Sequence, residues 1–284
     1  MKFDIRETAA ERIILCAHRG IFGGNIPCNT IASFDFAIAE GADMIELDVT
    51  KSADGELFVF HPGMERRQFC RDVSIRKSPA AEVREWKLCN VDGTPTELGV
   101  NTLDEVLEHL KNRVFINVDK FGDCPAEIIE CVKRHDMKDQ IILKCAPRPE
   151  QLAVVETYAP DIQFLPVISK TADVHEMLLS KNINYIGTEL LFKTEDDDTA
   201  SEAYREKLRR DGKLCWVNTI VYDYRAVLAA GHSDDAAVMG DPEFGWGWCA
   251  DRFDILQTDW IGSLSRFLEK TGRRYKSGGC PGTF

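Results

Sequence analysis

Residues 13–49 read IILCAHRGIFGGNIPCNTIASFDFAIAEGADMIELDV. The run Ile13 to Ala17 is apolar, short and partly β-branched, which predicts a buried strand ending at the polar step His18-Arg19-Gly20. Thr30 to Glu40 places Phe34, Ala37 and Ile38 on one helical face, with Asn29 or Thr30 positioned as its cap. Met44 to Val49 predicts a second strand. A strand, a helix and a strand in that order form a crossover unit, which makes the two strands parallel neighbours. Asp54-Gly55 then turns the chain into a further strand at Leu57 to Phe60.

The same alternation continues downstream. Residues 62–100 are polar and irregular, too long for a tight loop, and predict a small insertion. Beyond it come helix 103–110, strand 114–118, helix 125–135, strand 141–143, helix 149–157 and strand 164–168. Helix 172–180, a strand near Tyr185, helix 200–210, strand 214–217, strand 255–257 and helix 261–269 complete the pattern. About eight strand–helix repeats in 284 residues predict a closed α/β barrel, a (β/α)8 TIM barrel with a small insertion after the second strand region. Residues 1–270 then make one domain, and segment 271–284, rich in glycine and basic residues, reads as a tail. In such a barrel, functional residues gather at the C-terminal ends of strands.

Composition narrows the function. The chain has 32.0 kDa, 35 Lys plus Arg against 47 Asp plus Glu, a net charge of −12 and a pI of about 5.1. That balance argues against a nucleic-acid partner. It also repels anions at long range, so an anionic substrate needs a local cation. The ten cysteines are scattered, with no CxxC pair, and read as reduced core thiols rather than a disulfide framework. The first residues, MKFDIRETAAER, are charged and lack the apolar stretch of a secretory signal, and no apolar run approaches a membrane span. A cytoplasmic protein without stable membrane insertion is expected; oligomeric state stays open.

Four expected strand ends carry polar side chains a simple core has no use for: His18 with Arg19, the pair Glu46 and Asp48, His61, and Asp119. Positions i and i+2 of a strand point the same way, so Glu46 and Asp48 share a face while Leu47 takes the other. Three carboxylates meeting at one barrel mouth make a hard, oxygen-rich site suited to Mg²⁺ or Ca²⁺. Two histidines suit proton transfer near neutral pH, and an arginine suits a phosphate or carboxylate. Each residue alone has an ordinary structural use: Asp119 as a helix cap, Arg19 in a surface ion pair. Their shared position at strand ends is what points to phosphoryl transfer or phosphodiester cleavage. Trp216 and Asn218 face one side of a late strand and are candidates for substrate contact. The aromatic loop 241–248, DPEFGWGW, is either a pocket wall or rim packing.

These residues also carry a resemblance. His18-Arg19-Gly20, Pro27-Cys28-Asn29-Thr30, Ser33-Phe34, Gly41-Ala42-Asp43, Ile45-Glu46-Leu47-Asp48-Val49, Asp54-Gly55 and His61 resemble the N-terminal signature of the glycerophosphodiester phosphodiesterase family. Thr102 to Leu107, Trp216-Val217-Asn218 and Gln257-Thr258-Asp259 resemble later segments of that family. The resemblance implies a (β/α)8 barrel, a divalent metal, and hydrolysis of a small-molecule glycerophosphodiester to glycerol 3-phosphate and an alcohol. By position it implies His18 and His61 as the acid–base pair, Arg19 as the phosphate-binding arginine, and Glu46, Asp48 and Asp119 as metal ligands. Asp119 stands where the family usually has Glu. The family also usually has Glu at Cys28, Asp at Pro62 and Lys at Phe121. Lys120 comes one residue early, which predicts a side chain turned away, and Lys144 on the next strand is the expected substitute. A lyase that stops at a cyclic phosphate and a non-catalytic phosphodiester-binding barrel are the alternative outcomes.

Overall fold

The computed structural model describes residues 3–171, 174–221 and 227–276. Eight parallel strands close on themselves: β1 (Ile14–His18), β2 (Met44–Lys51), β6 (Phe115–Asp119), β7 (Ile141–Cys145), β8 (Gln163–Ile168), β9 (Gly187–Leu190), β10 (Leu214–Asn218) and β11 (Ile255–Thr258). Closure is made by β1, which pairs with both β2 and β11. β3 (Leu57–Val59) returns antiparallel along β2 through the Asp54-Gly55 turn, where Gly55 has φ 99°.

Period-2 alternation sorts the strand residues. Ile14, Cys16, Met44, Ile142, Leu165, Ile186, Trp216 and Ile255 form an apolar cluster inside the barrel. Leu15, Ala17, Ile45, Leu47, Ile116, Val118 and Leu143 belong to a second cluster shared with the surrounding helices. Those helices are α2 (Ile31–Ala39), α5 (Leu103–Leu110), α6 (Pro125–Arg134), α7 (Pro149–Tyr158), α8 (Val174–Leu179), α9 (Glu202–Arg210), α10 (Asp234–Met239), α11 (Trp248–Ala250) and α12 (Ile261–Lys270). Thr30 and Thr102 start α2 and α5 with capping boxes, each closing two otherwise unpaired backbone donors. Burying each large aliphatic side chain contributes roughly 1.5–3 kcal/mol.

Several expectations are corrected in detail. The N-terminal charged stretch forms α1 (Ile5–Glu11), capped by Asp4, and buries Ile5 and Ala9 in the inner cluster. Residues 62–100 are not irregular. They hold α3 (Glu65–Gln68), α4 (Ala80–Val83) and the hairpin β4 (Lys87–Cys89) with β5 (Pro95–Gly99) around an apolar cluster of their own. Phe69 joins that cluster, its ring 5.1 Å from those of both Phe60 and Trp86. The strand expected near Tyr185 begins at Gly187, where a Cβ would lie 2.4 Å from the Leu214 carbonyl oxygen, so only glycine admits the neighbouring backbone. Of the helix expected over 172–180, residues 172–173 lie outside the described residues. The segment from 271, read as a tail, is docked as far as 276: Arg274 is buried on Asp43 at 2.8 Å, and Tyr275 bridges to Arg12. Residues 277–284, including Cys280, lie outside the described residues.

Candidate active site

The alternation that fills the barrel with apolar side chains at one level places polar ones at the C-terminal strand ends. β1 ends at His18, and the chain then turns sharply. Arg19 has φ 59° and Gly20 has φ 78°. A Cβ at Gly20 would lie 2.5 Å from Ser33 Oγ, so glycine is obligatory there. The turn is fixed by Ser33 Oγ donating to the Arg19 carbonyl and by the Arg19 N–H donating to the Glu46 carbonyl.

Glu46 and Asp48 both point inward from β2 and are fully buried. Asp48 pairs in register with Asp119 on β6. Glu46, Asp48 and Asp119 each bring one carboxylate oxygen into a cluster whose atoms lie within 4.8 Å of one another. Asp48 Oδ2 accepts from Asn29 Nδ2 at 2.9 Å and lies 2.8 Å from Arg19 Nε. Its other oxygen, Oδ1, lies 3.9 Å from both His61 Nε2 and Lys120 Nζ. Glu46 Oε2 accepts from the Arg19 N–H at 3.1 Å. Glu46 Oε1 and Asp48 Oδ1 are buried without a hydrogen bond. Leaving such oxygens unpaired in a dry site is costly, and an all-oxygen, acidic donor set fits a hard divalent cation.

The charges respond to this crowding. Burial, then Asp48 and Asp119, push Glu46 up to about 7 against His18 and Lys144. Burial also acts to raise Asp119, but Lys144 and Lys120 outweigh it and hold that carboxyl at about 2. The histidines separate. Burial opposes the charged form of both, yet the Asp259 hydrogen bond and the charge of Glu46 raise His18 above its ordinary value. For His61, burial prevails over Asp48, and Arg19 and Lys120 lower it further. Asp259 Oδ1 sits 2.8 Å from His18 Nδ1 and fixes that ring. Asp259 is held in turn by its own N–H donating to Asp234 Oδ2. The other Asp234 oxygen accepts from Thr219, Thr258 and the Trp246 indole.

A cavity of about 360 Å³ opens beside His18, Arg19 and Asp259. Cys28 and Phe22 line it from the barrel, and Met64, Arg67, Gln68 and Val91 from the insertion, which therefore supplies a wall of the site. Cys28 accepts from Gln68 Nε2 at 3.0 Å, and burial pushes its thiol up to about 11, so no negative charge stands there near pH 7.

The structure brings His18, Arg19, Glu46, Asp48, His61 and Asp119 together. Three other expected residues lie deeper in the barrel. Lys144 and Trp216 are almost wholly enclosed, below the rim: Lys144 Nζ lies 2.9 Å from Glu189 Oε2 and 4.8 Å from the Trp216 ring centre. Asn218 links the two, accepting from the Trp216 indole and donating to Glu189 Oε1. Glu189 thus joins Lys144 to Asn218, and Asn218 to Trp216, in one buried polar layer. Lys120 does not turn away. Its left-handed backbone, φ 57°, breaks the strand alternation and brings Nζ to 3.3 Å from Asp119 Oδ2. In loop 241–248, Trp246 is buried on Asp234, which is rim packing. Asp259, Asn29, Glu189 and Asp234 were missed as site residues. Asp259 leaves a signal in the Thr258-Asp259 turn after the last strand, and Asn29 leaves one in the Pro27-Cys28-Asn29-Thr30 segment; Glu189 and Asp234 leave none.

The model of the glycerophosphoryl diester phosphodiesterase family matches residues 18–203, and that of a domain of unknown function matches residues 164–268. A glycerophosphodiester phosphodiesterase of Bacillus altitudinis is 56% identical over 136 residues, covering 45% of this chain and 55% of that protein. The matches span about half the length of the curated relatives. A crystal structure of a glycerophosphoryl diester phosphodiesterase from Parabacteroides distasonis superposes with a TM-score of 0.74 at 15% identity, covering 96% of this chain and 90% of that one. A phosphodiesterase from Oleispira antarctica, in complex with the product sn-glycerol-3-phosphate, superposes with a TM-score of 0.67 at 18% identity, covering 91% and 97%. At these identities the structural likeness shows the barrel fold.

Proposed function

Because the chain belongs to the glycerophosphoryl diester phosphodiesterase family, we propose that it hydrolyses a small glycerophosphodiester to glycerol 3-phosphate and an alcohol. One observation carries the reading: the Glu46, Asp48 and Asp119 oxygens converge within 4.8 Å beside Arg19 and two histidines, one ending β1 and the other two residues beyond β3. The glycerol 3-phosphate bound by the Oleispira antarctica relative supports the product class.

In this reading Glu46, Asp48 and Asp119 would hold Mg²⁺ or Ca²⁺, which when bound supplies positive charge against the phosphoryl oxygens. Arg19, clamped by Asp48, binds a phosphoryl oxygen and orients the diester at the cavity floor. His61 accepts the proton of the substrate hydroxyl next to the phosphate as its oxygen attacks phosphorus. His18, held by the Asp259 carboxylate at Nδ1, delivers a proton from Nε2 to the departing alkoxide as the P–O bond breaks. The product of this half is a cyclic phosphate. In the second half the histidines exchange roles: His18 takes a proton from water as the water oxygen bonds to phosphorus, and His61 protonates the ring oxygen as its bond to phosphorus breaks. The insertion screens the cavity from bulk water on one side. Among the described residues the cysteines are free thiols and mostly buried, with Cys70 and Cys89 side by side, a pattern that favours a reducing compartment such as the cytoplasm. Among the described residues no helix is long and apolar enough to cross a membrane.

The test is an assay of glycerophosphodiesters, lysophospholipids and sugar phosphodiesters with and without chelator, on wild type, His18→Ala and His61→Ala. Each substitution is expected to lower kcat by roughly 10²–10⁴-fold, and chelator to abolish turnover. Turnover unaffected by both substitutions would overturn the roles assigned here. Phosphorus NMR follows the product: glycerol 3-phosphate supports hydrolysis, and a persistent cyclic ester makes the protein a lyase.

A further inference from the structure

Away from the barrel mouth, α5 and α6 bring a second set of ligand-type side chains together. Cys131, in the last turn of α6, and His135, its C-cap with near-helical backbone, are four residues apart and so project from the same side. Asp104 lies in the first turn of α5. Asp104 Oδ1 is 2.7 Å from His135 Nε2 and 3.6 Å from Cys131 Sγ, and one ligand atom from each residue falls within 4.8 Å of the others. A tetrahedral zinc ion, with bonds of about 2.0–2.3 Å, sets its ligand atoms roughly 3.3–3.6 Å apart, so the present spacing needs only a small opening. Two independent features favour a cation. His135 Nδ1 faces Glu108 Oε2 at 3.6 Å, an ion-pair distance that a side-chain adjustment of Glu108 would close into the hydrogen-bonded carboxylate–histidine arrangement that directs the other ring nitrogen at a metal. A cavity of about 350 Å³ also borders the cluster; its wall includes Arg134 and four carboxylates, Asp54, Glu56, Glu127 and Glu130, of which Glu56 and Glu127 are ion-paired with Arg84 and Lys51.

We propose that Asp104, Cys131 and His135 form a binding site for a borderline-soft divalent cation of the Zn²⁺ class, with water from the acidic cavity as fourth ligand. The sulfur, nitrogen and oxygen donor set separates it in chemistry from the all-carboxylate cluster at the mouth. On binding, the Cys131 thiol forms a sulfur–metal bond and releases its proton to solvent, while the proton that His135 Nε2 now donates to Asp104 is given up to solvent and Nδ1, facing Glu108, carries the ring proton, which frees the Nε2 lone pair for the metal. Arg134, which now donates to both Asp104 oxygens at 2.6 and 2.8 Å, competes for that carboxylate and must swing to another carboxylate at the acidic cavity, Glu130 being one turn back along the helix. The bound ion would clamp α5 to α6.

The experiment titrates Co²⁺ into the full, reduced, metal-stripped chain with Mg²⁺ in excess. Expected are one equivalent of tetrahedral Co²⁺ with thiolate-to-cobalt charge-transfer absorption, and its displacement by Zn²⁺. Cys131→Ser abolishes the charge-transfer band, Asp104→Asn and His135→Gln each weaken binding by at least about tenfold, and Arg134→Gln tightens it. Glu46→Gln leaves the band in place. Absence of the band in wild type, or its survival in Cys131→Ser, overturns the proposal. Should Cys131→Ser fail to fold, unchanged Co²⁺ affinity in both Asp104→Asn and His135→Gln, which alter partly exposed helix ends, overturns it equally.

Discussion

At the residue scale, what matters most is how few side chains stand between the barrel and its chemistry. His18 is held by Asp259 across 241 positions of sequence. Replacing Asp259 by Ala removes that hydrogen bond and lets the ring turn, so kcat is expected to fall by roughly 10²–10⁴-fold with KM little changed; an equal loss confined to KM would show that Asp259 binds substrate instead. Asp234, one step further back, links stability to pH. Burial and the charge of Asp259 push its carboxyl up to about 6, above an unfolded value of about 3.9. A carboxyl raised on folding stabilises fully below the unfolded value and loses that contribution as pH climbs through the folded one. The stability of wild type minus that of Asp234→Asn is therefore expected to decline between about pH 4 and 7, by on the order of 2–3 kcal/mol, measured as urea midpoints across that range. A difference that stays flat or grows with pH would refute the shift. His18, Glu46 and Asp48 were legible because they obey strand alternation within a few residues of an apolar run. Lys120 was misread because its left-handed backbone suspends that rule, and Asp234 was invisible because its partners come from three separate segments.

At the scale of elements, periodicity exposed the barrel because each strand is short, apolar and followed by an amphipathic helix. It missed α1, whose charged residues mask the two that count: Ile5 and Ala9 pack against the inner cluster with Ile14, Met44 and Trp216. A lone pair of buried positions on a seven-residue helix gives no periodic signal, and only tertiary packing makes it a helix. The contribution is measurable. Ile5→Ala leaves a void under the barrel and is expected to cost about 2–5 kcal/mol, seen as a lower urea midpoint. Because the void lies beneath the apolar layer and far from His18, kcat should stay near the wild-type value; a large loss of kcat in the folded variant would mean that α1 communicates with the mouth. The insertion taught the complementary lesson. Its polar surface read as loop, yet Phe60, Phe69 and Trp86 give it an aromatic core, and that core carries a wall of the cavity.

At the scale of the whole molecule, net charge opposes the chemistry proposed for it. A phosphodiester bearing net negative charge approaches a surface with a net charge of −12, and among the described residues lining the cavity meets favourable cations at Arg19 and Arg67. The repulsion acts over a Debye length, which shrinks from about 30 Å at 0.01 M salt to about 8 Å at 0.15 M. The contact with Arg19, enclosed against Asp48, is screened far less over that range. Adding salt from low concentration therefore removes the long-range penalty first, and kcat/KM for an anionic glycerophosphodiester is expected to rise a few-fold before levelling. A zwitterionic substrate, whose alcohol carries a positive charge, has no net charge to be repelled and should show a flatter dependence. The comparison is made by measuring initial rates for both substrates at constant free Mg²⁺ while monovalent salt is varied. A monotonic fall for the anionic substrate would mean that attraction local to the mouth already dominates its approach, and that the acidic surface is arranged so that its field does not reach the cavity.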